Sequence, residues 1–220
     1  MKINAIITGA TGMVGEGVLH ECLLSPEVES VLVINRRPCN IQHPKLMEVI
    51  HKDFYDFSAI KDVLTGYNAL FHCMGVTSVG KNEEEYSKLT YDITMALAGL
   101  LAKLNPGMTC CYVSGAGTDS TEKGRSMWAR VKGKTENQLI KLFAPKAYMF
   151  RPALIKPTTG LKNTYKMYKV LKPLIPVFKF FMPKYVCSLK EIGLAMINSV
   201  NKGYEKSFIE VPDIIKLALK

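Results

Sequence analysis

Apolar residues recur along this chain as short continuous runs separated by stretches with helical spacing. Ile3 to Thr8 is one such run, too short for a helix and ending in glycines, which predicts a buried parallel strand. From Met13 to Leu24 the residues Val14, Val18, Leu19, Cys22 and Leu23 fall at helical spacing, and Val31 to Ile34 is again short and rich in β-branched residues. Strand, helix and strand therefore fit a single right-handed crossover unit. The alternation continues with strands at Leu46 to Ile50 and Ala69 to Cys73 and a helix from about Glu83 to Leu104 that ends before Pro106-Gly107. A strand at Thr109 to Val113, a helix over Trp128 to Phe143 with Val131, Leu139, Leu142 and Phe143 on its apolar face, and a strand at Ala147 to Phe150 complete the pattern. This order predicts an α/β fold with a doubly wound parallel sheet and helices on both faces.

After Arg151-Pro152 the rhythm changes. Thr164 to Val186 is apolar and basic and is broken by Pro173, Pro176 and Pro183, so it cannot form one regular helix. The length of 220 residues is enough for one sizeable core. The expectation is a single domain over 1–220, with 152–190 as a basic, proline-broken lid or substrate segment. The net charge of +10 is concentrated there, because Arg151 to Lys190 holds nine Lys or Arg and no Asp or Glu. Such a face suits an anionic ligand, an anionic membrane surface or solvent. No nucleic-acid recognition module is visible, so no nucleic-acid partner is expected. Six cysteines show no CxxC pair and no clustering with the four histidines, so no metal site is expected. The opening MKINAIITGA lacks a signal-peptide core, and together these features predict a cytoplasmic protein, monomer or homodimer.

The sharpest chemical signal is Thr8-Gly9-Ala10-Thr11-Gly12-Met13-Val14-Gly15, a GxxGxxG run between the first strand and the first helix. Gly9 serves the tight turn, Gly12 lets the backbone approach a pyrophosphate, and Gly15 lets helix pack on strand. Thr11, Met13 and Val14 carry the amides at the positive end of the helix. About 20 residues beyond the last glycine, where an NAD-preferring site offers Asp or Glu to the ribose, stand Asn35-Arg36-Arg37. Guanidiniums clamp a 2′-phosphate through charge-assisted hydrogen bonds, so NADP(H) is favoured over NAD(H).

TGATGMVG, then NRR, then His51-Lys52-Asp53-Phe54, then Phe71-His72-Cys73-Met74-Gly75, then Tyr112-Val113-Ser114-Gly115 resemble the atypical short-chain dehydrogenase/reductases. These are Rossmann-fold proteins that include the NAD-dependent epimerase/dehydratase-like and Tat-interacting-protein-like oxidoreductases. The resemblance runs from Met1 to about Pro157. It implies that Asp53 and Phe54 form an adenine pocket, that Cys73, Met74 and Gly75 pass under the adenine ribose, and that Pro152, Ala153 and Leu154 lie beside the nicotinamide. It also implies catalysis by a Ser or Thr after the fifth strand together with Tyr-x-x-x-Lys on the next helix, a spacing that puts phenol and ammonium on one helical face. Ser114 matches the hydroxyl and Lys132 the lysine, but the tyrosine position is Trp128, whose indole cannot act as an acid or base near neutral pH, so Lys132, with Ser114, is expected to serve cofactor binding as well.

Tyr91 is then the candidate substitute, with Tyr86 and Trp128 as candidate substrate contacts. By the same resemblance the tail sets substrate choice. Tyr165, Tyr168, Phe178, Phe180, Phe181 and Met182 would line an apolar pocket or lid, with Lys166, Lys169, Lys172 and Lys179 around it. The function expected is that of an NADP(H)-binding oxidoreductase or epimerase-like enzyme acting on a carbonyl or hydroxyl of a small-molecule substrate, and a large or acidic one is compatible with the tail. The alternative is a catalytically silent NADP(H)-binding regulator, with peripheral membrane contact through the basic tail.

Overall fold

The computed structural model describes residues 2–163 and 182–220. The sequence-predicted tail residues Tyr165, Lys166, Tyr168, Lys169, Lys172, Phe178, Lys179, Phe180 and Phe181 lie outside the described residues, and so does most of the membrane-contact reading that rests on them.

Seven strands form one fully parallel sheet in the order β3-β2-β1-β4-β5-β6-β9. They are β1 (Ile3–Thr8), β2 (Val28–Asn35), β3 (Leu46–Ile50), β4 (Ala69–His72), β5 (Thr109–Val113), β6 (Ala147–Arg151) and β9 (Phe208–Glu210). Between them run α1 (Met13–Leu24), α2 (Glu83–Ser87), α3 (Ile93–Leu104), α4 (Met127–Phe143) and α5 (Leu189–Lys202), and α6 (Val211–Ala218) follows β9. This is the doubly wound α/β fold that the alternation predicted.

The alternation of the pleat shows why both faces are covered. Ile3, Ala5 and Ile7 of β1 bury into one apolar cluster with Val18 and Leu19 of α1, Ile192 and Met196 of α5 and Ile214 of α6. Ile6 points into a second cluster with Leu97 and Leu101 of α3 and Leu139 and Phe143 of α4. Three features were not foreseen. The long helix expected over Glu83–Leu104 is interrupted by a π-helical turn, Lys88–Asp92, between α2 and α3. Two three-residue strands, β7 (Leu154–Lys156) and β8 (Val186–Ser188), pair in parallel beside the main sheet. Finally, α5, β9 and α6 follow the basic segment, with α5 lying on α1.

Candidate functional site

The chain winds outward from β1 through β2 to β3, then returns to β4 on the other side of β1. The carboxyl ends of β1 and β4 therefore part at a switch point, where a parallel sheet leaves a crevice. A cleft of about 900 Å³ lies there, lined by residues that follow β1, β2, β4, β5 and β6.

At its floor is the glycine loop. Gly9 has φ of 75°, and a Cβ there would stand 2.8 Å from the Cys73 carbonyl. A Cβ on Gly15 would stand 2.1 Å from the Gly9 oxygen, so the first turn of α1 packs directly on the loop. Gly12 differs: its imagined Cβ meets only the Gly9 oxygen, at 3.3 Å, so protein packing asks little of it. As N-cap of α1 it supplies no side-chain hydrogen bond, and Gly12, Met13 and Val14 face the cleft with Thr11. These are the features a pyrophosphate needs: backbone N–H groups without a side chain in the way, at the positive end of a helix. The residues present fit a dinucleotide.

Asn35, Arg36, Arg37, Phe54, Cys73, Met74 and Gly75 also line the cleft. Asn35 gives its amide to Glu48 of β3, at 2.8 Å, rather than to the cleft. Arg36 and Arg37 are exposed, and neither side chain makes an ion pair or hydrogen bond among the described residues. Phe54 is buried edge-on against Phe57, with ring centroids 5.5 Å apart. Asp53, its expected partner, is exposed and accepts from the Tyr55 backbone N–H at 2.9 Å, so it closes a turn outside the cleft lining.

At the other end the cleft meets Ser114, Gly115, Lys132, Pro152 and Ile155. Of the three residues expected beside the nicotinamide, Pro152 is present, whereas Ala153 and Leu154 do not line the cleft and Ile155 does. The Ser114 hydroxyl is not free to act. It lies 2.5 Å from Glu136 Oε1 and 3.2 Å from the Phe150 carbonyl, and its single proton is held by the carboxylate. Glu136 is fully buried on α4 and also takes a two-pronged contact from Arg151 of β6, through Nε at 3.0 Å and through Nη2. Arg151 in turn donates to Ser120 Oγ at 2.5 Å. Lys132, one turn before Glu136, donates from Nζ to the Ser114 carbonyl oxygen. Burial pulls its ammonium down to about 8, with Glu136 resisting part of that fall.

The three aromatic candidates stand apart from the cleft lining. Tyr86 is 2% exposed and belongs to the interior, so it cannot meet a substrate. Tyr91 sits in the π-helical turn with the Lys134 ammonium over its ring at 4.4 Å. The Trp128 ring packs over Gly117, within 3.5 Å of where a Cβ would be.

Sequence reasoning missed Glu136, Arg151 and His72. Glu136 had a usable signal, since Trp128, Lys132 and Glu136 recur every four residues along one face of α4. His72 joins the loop to the π turn: Nδ1 is 2.8 Å from Thr8 Oγ1 and Nε2 is 3.0 Å from Thr94 Oγ1. Thr94 gives its own proton to the Thr90 carbonyl at 2.5 Å, so it accepts from Nε2–H, and Nδ1 accepts from Thr8. Burial holds this imidazole neutral, with its pKa lowered to about 4.

The model of the NAD dependent epimerase/dehydratase family matches residues 5–122, more than half of the chain. This chain belongs to that family. Among solved structures, this epimerase/dehydratase-family chain is similar in fold to the UDP-N-acetylglucosamine 4-epimerase of Methanobrevibacter ruminantium M1. The TM-score is 0.68 at 16% identity, over 95% of this chain and 76% of that one. The Bordetella bronchiseptica enzyme WbmF, in complex with NAD+, gives 0.69 at 15% identity over 99% and 77%.

Curated relatives of this family member include protein FMP52-1, mitochondrial, of Scheffersomyces stipitis, 24% identical over 93% of this chain and 91% of the relative. Protein FMP52, mitochondrial, of Saccharomyces cerevisiae is 26% identical over 74% and 69%. These names overturn the expectation of a cytoplasmic protein. That expectation rested on the opening residues and on the cysteine pattern, and neither tells cytosol from mitochondrion.

Proposed function

We propose that this family member is an NADP(H)-dependent oxidoreductase or epimerase-like enzyme acting on a carbonyl or hydroxyl of a small-molecule substrate. The observation that carries this reading is the charge of the cleft. Arg36, Arg37 and Lys132 line it, and no carboxylate does among the described residues. A ligand with phosphates at one end suits that lining, and the unpaired guanidiniums after β2 suit a 2′-phosphate. A bound nicotinamide dinucleotide supplies hydride. The protein's part is to hold the pyrophosphate on the Gly12–Val14 amides, to clamp the adenosine phosphate with Arg36 and Arg37, to pack the adenine near Phe54, and to present Lys132 at the Ser114 end.

Calorimetric titration with NADPH, NADP+, NADH and NAD+ tests the reading. The phosphorylated forms are expected to bind at least ~10-fold more tightly, and Arg36→Ala to lose that preference while leaving NADH affinity nearly unchanged, a loss of about 1.4 kcal/mol or more. Equal affinity for all four forms, as the NAD+ complex of WbmF makes worth testing, would overturn the NADP(H) assignment.

A second reading has its own observation. The phenol position holds Trp128 and the Ser114 proton is bound to Glu136, which suits a silent cofactor-binding regulator. That reading expects stoichiometric dinucleotide binding with no turnover across a broad carbonyl panel.

A further inference from the structure

We propose that Lys132 Nζ is the proton donor and acceptor of the cleft, in place of the phenol that this chain lacks. The inference rests on the dinucleotide reading of the cleft, and three observations of position carry it.

Among the described residues, the titratable side chains that line the cleft are Arg36, Arg37, Cys73 and Lys132. Guanidiniums stay charged at any working pH, and burial pushes the Cys73 thiol up to about 12, so neither type moves protons near neutrality. The Ser114 proton is already given to Glu136. Lys132, in contrast, reaches the cleft one turn beyond Trp128 and is tethered by a bond to the Ser114 carbonyl. An ammonium has three N–H groups, which leaves two for a ligand.

The charges around Nζ come from two elements. Among the described residues these are Glu136 on the same helix and, through Glu136, Arg151 of β6; at the end of β5 Ser114 supplies the carbonyl to which Nζ donates. Because Arg151 and Ser114 already satisfy Glu136, that carboxylate returns to Lys132 only part of the hydration the ammonium loses. This is the arrangement in which an amine exchanges its proton near neutral pH.

In the reductive direction, hydride reaches the substrate's carbonyl carbon and the C=O π pair moves to oxygen. The Nζ–H bond breaks and its proton goes to that oxygen. Lys132 is left as a neutral amine and regains a proton from water at the mouth of the cleft. Oxidation of an alcohol runs each transfer backwards.

Calorimetry in two buffers of different ionisation enthalpy, at pH 8, counts the protons released on binding NADP+ and NADPH. The oxidised ring is cationic and the reduced ring neutral, so an ammonium beside the ring loses its proton only to the oxidised form. For a downward shift of about one unit, the wild type is expected to release on the order of 0.4 proton more per site with NADP+ than with NADPH. Lys132→Arg keeps the cation without titrating, and is expected to bind both forms and to release equal counts. Lys132→Met serves the same comparison if the arginine variant does not fold. Equal release in the wild type, or a difference that survives the substitution, overturns the proposal and leaves the dinucleotide site standing. Failure of every dinucleotide to bind the wild type overturns both.

Discussion

Two glycines three residues apart answer different demands within one loop. Gly15 is required by packing, since a Cβ would sit 2.1 Å from the Gly9 oxygen, whereas Gly12 meets nothing closer than 3.3 Å. Gly15→Ala is therefore expected to lower the melting temperature by several degrees, through a shift of α1 costing roughly 1–3 kcal/mol. Gly12→Ala is expected to melt near the wild type and to lose dinucleotide affinity instead. Thermal denaturation with and without NADPH separates the two, and a Gly12→Ala protein that binds normally would remove the loop from the site. His72 makes a prediction of pH dependence. Its native pKa lies near 4 against an ordinary 6.5, so between those values the unfolded chain binds a proton that the native chain refuses. Stability is then full above about pH 6.5 and falls toward pH 4 by roughly 3 kcal/mol in total. Urea unfolding across that window is expected to show a smaller loss in His72→Gln than in wild type, and parallel curves would contradict it. The glycine loop was legible in the sequence because its demands are local, a positive φ and close approaches within a few residues. His72 was not, because its partners Thr8 and Thr94 are brought together only by the sheet and the π turn.

At the scale of elements, Glu136 and Arg151 join α4 to β6, and Ser114 adds the end of β5. A buried pair of this kind is costly to break and much less costly to replace. Glu136→Leu alone is expected to destabilise by about 3 kcal/mol by leaving Arg151 with only the half-exposed Glu210, at 3.4 Å, as counter-charge, while Glu136→Leu with Arg151→Met costs distinctly less. Denaturant midpoints of the two singles and the double decide this, and additive losses would show that the pair is not coupled. The strands β1 and β5 were legible to the residue, because a buried parallel strand is a continuous apolar run with sharp ends, and β3, a half-exposed edge strand, was legible as a short, mostly apolar run. The strands β7, β8 and β9, at three residues each, carry too few positions for any periodicity to register. The π turn escaped notice because its sequence, Lys88 to Asp92, reads as ordinary helix; the widened turn is a matter of hydrogen-bond register, which composition does not encode. Tyr91 was expected at the site because in the resembling family the helix after the fourth strand skirts it; here Tyr91 sits within the π turn, with the Lys134 ammonium over its ring.

On the scale of the whole molecule, the family and the fold followed from the first two thirds of the chain, where strand and helix alternate without interruption. The segment beyond Arg151 was read by its charge, and its architecture depends on distant partners. Glu16, buried in the first turn of α1, accepts the backbone N–H groups of Lys162 and Asn163 at 2.8 and 2.7 Å, so the root of the basic segment is fastened beside the glycine loop. Further along, α5 lies so close to α1 that a Cβ on Gly17 would stand 2.9 Å from Leu189, and one on Gly193 would stand 2.7 Å from Glu21. The first helix is thus covered by almost the last. During synthesis from the amino terminus, the apolar flank of α1 has no native cover until Leu189–Lys202, about 165 residues further on, has left the ribosome. The nascent chain spends that interval as a half-built sheet with one side bare, the condition in which chaperones are recruited and aggregation begins.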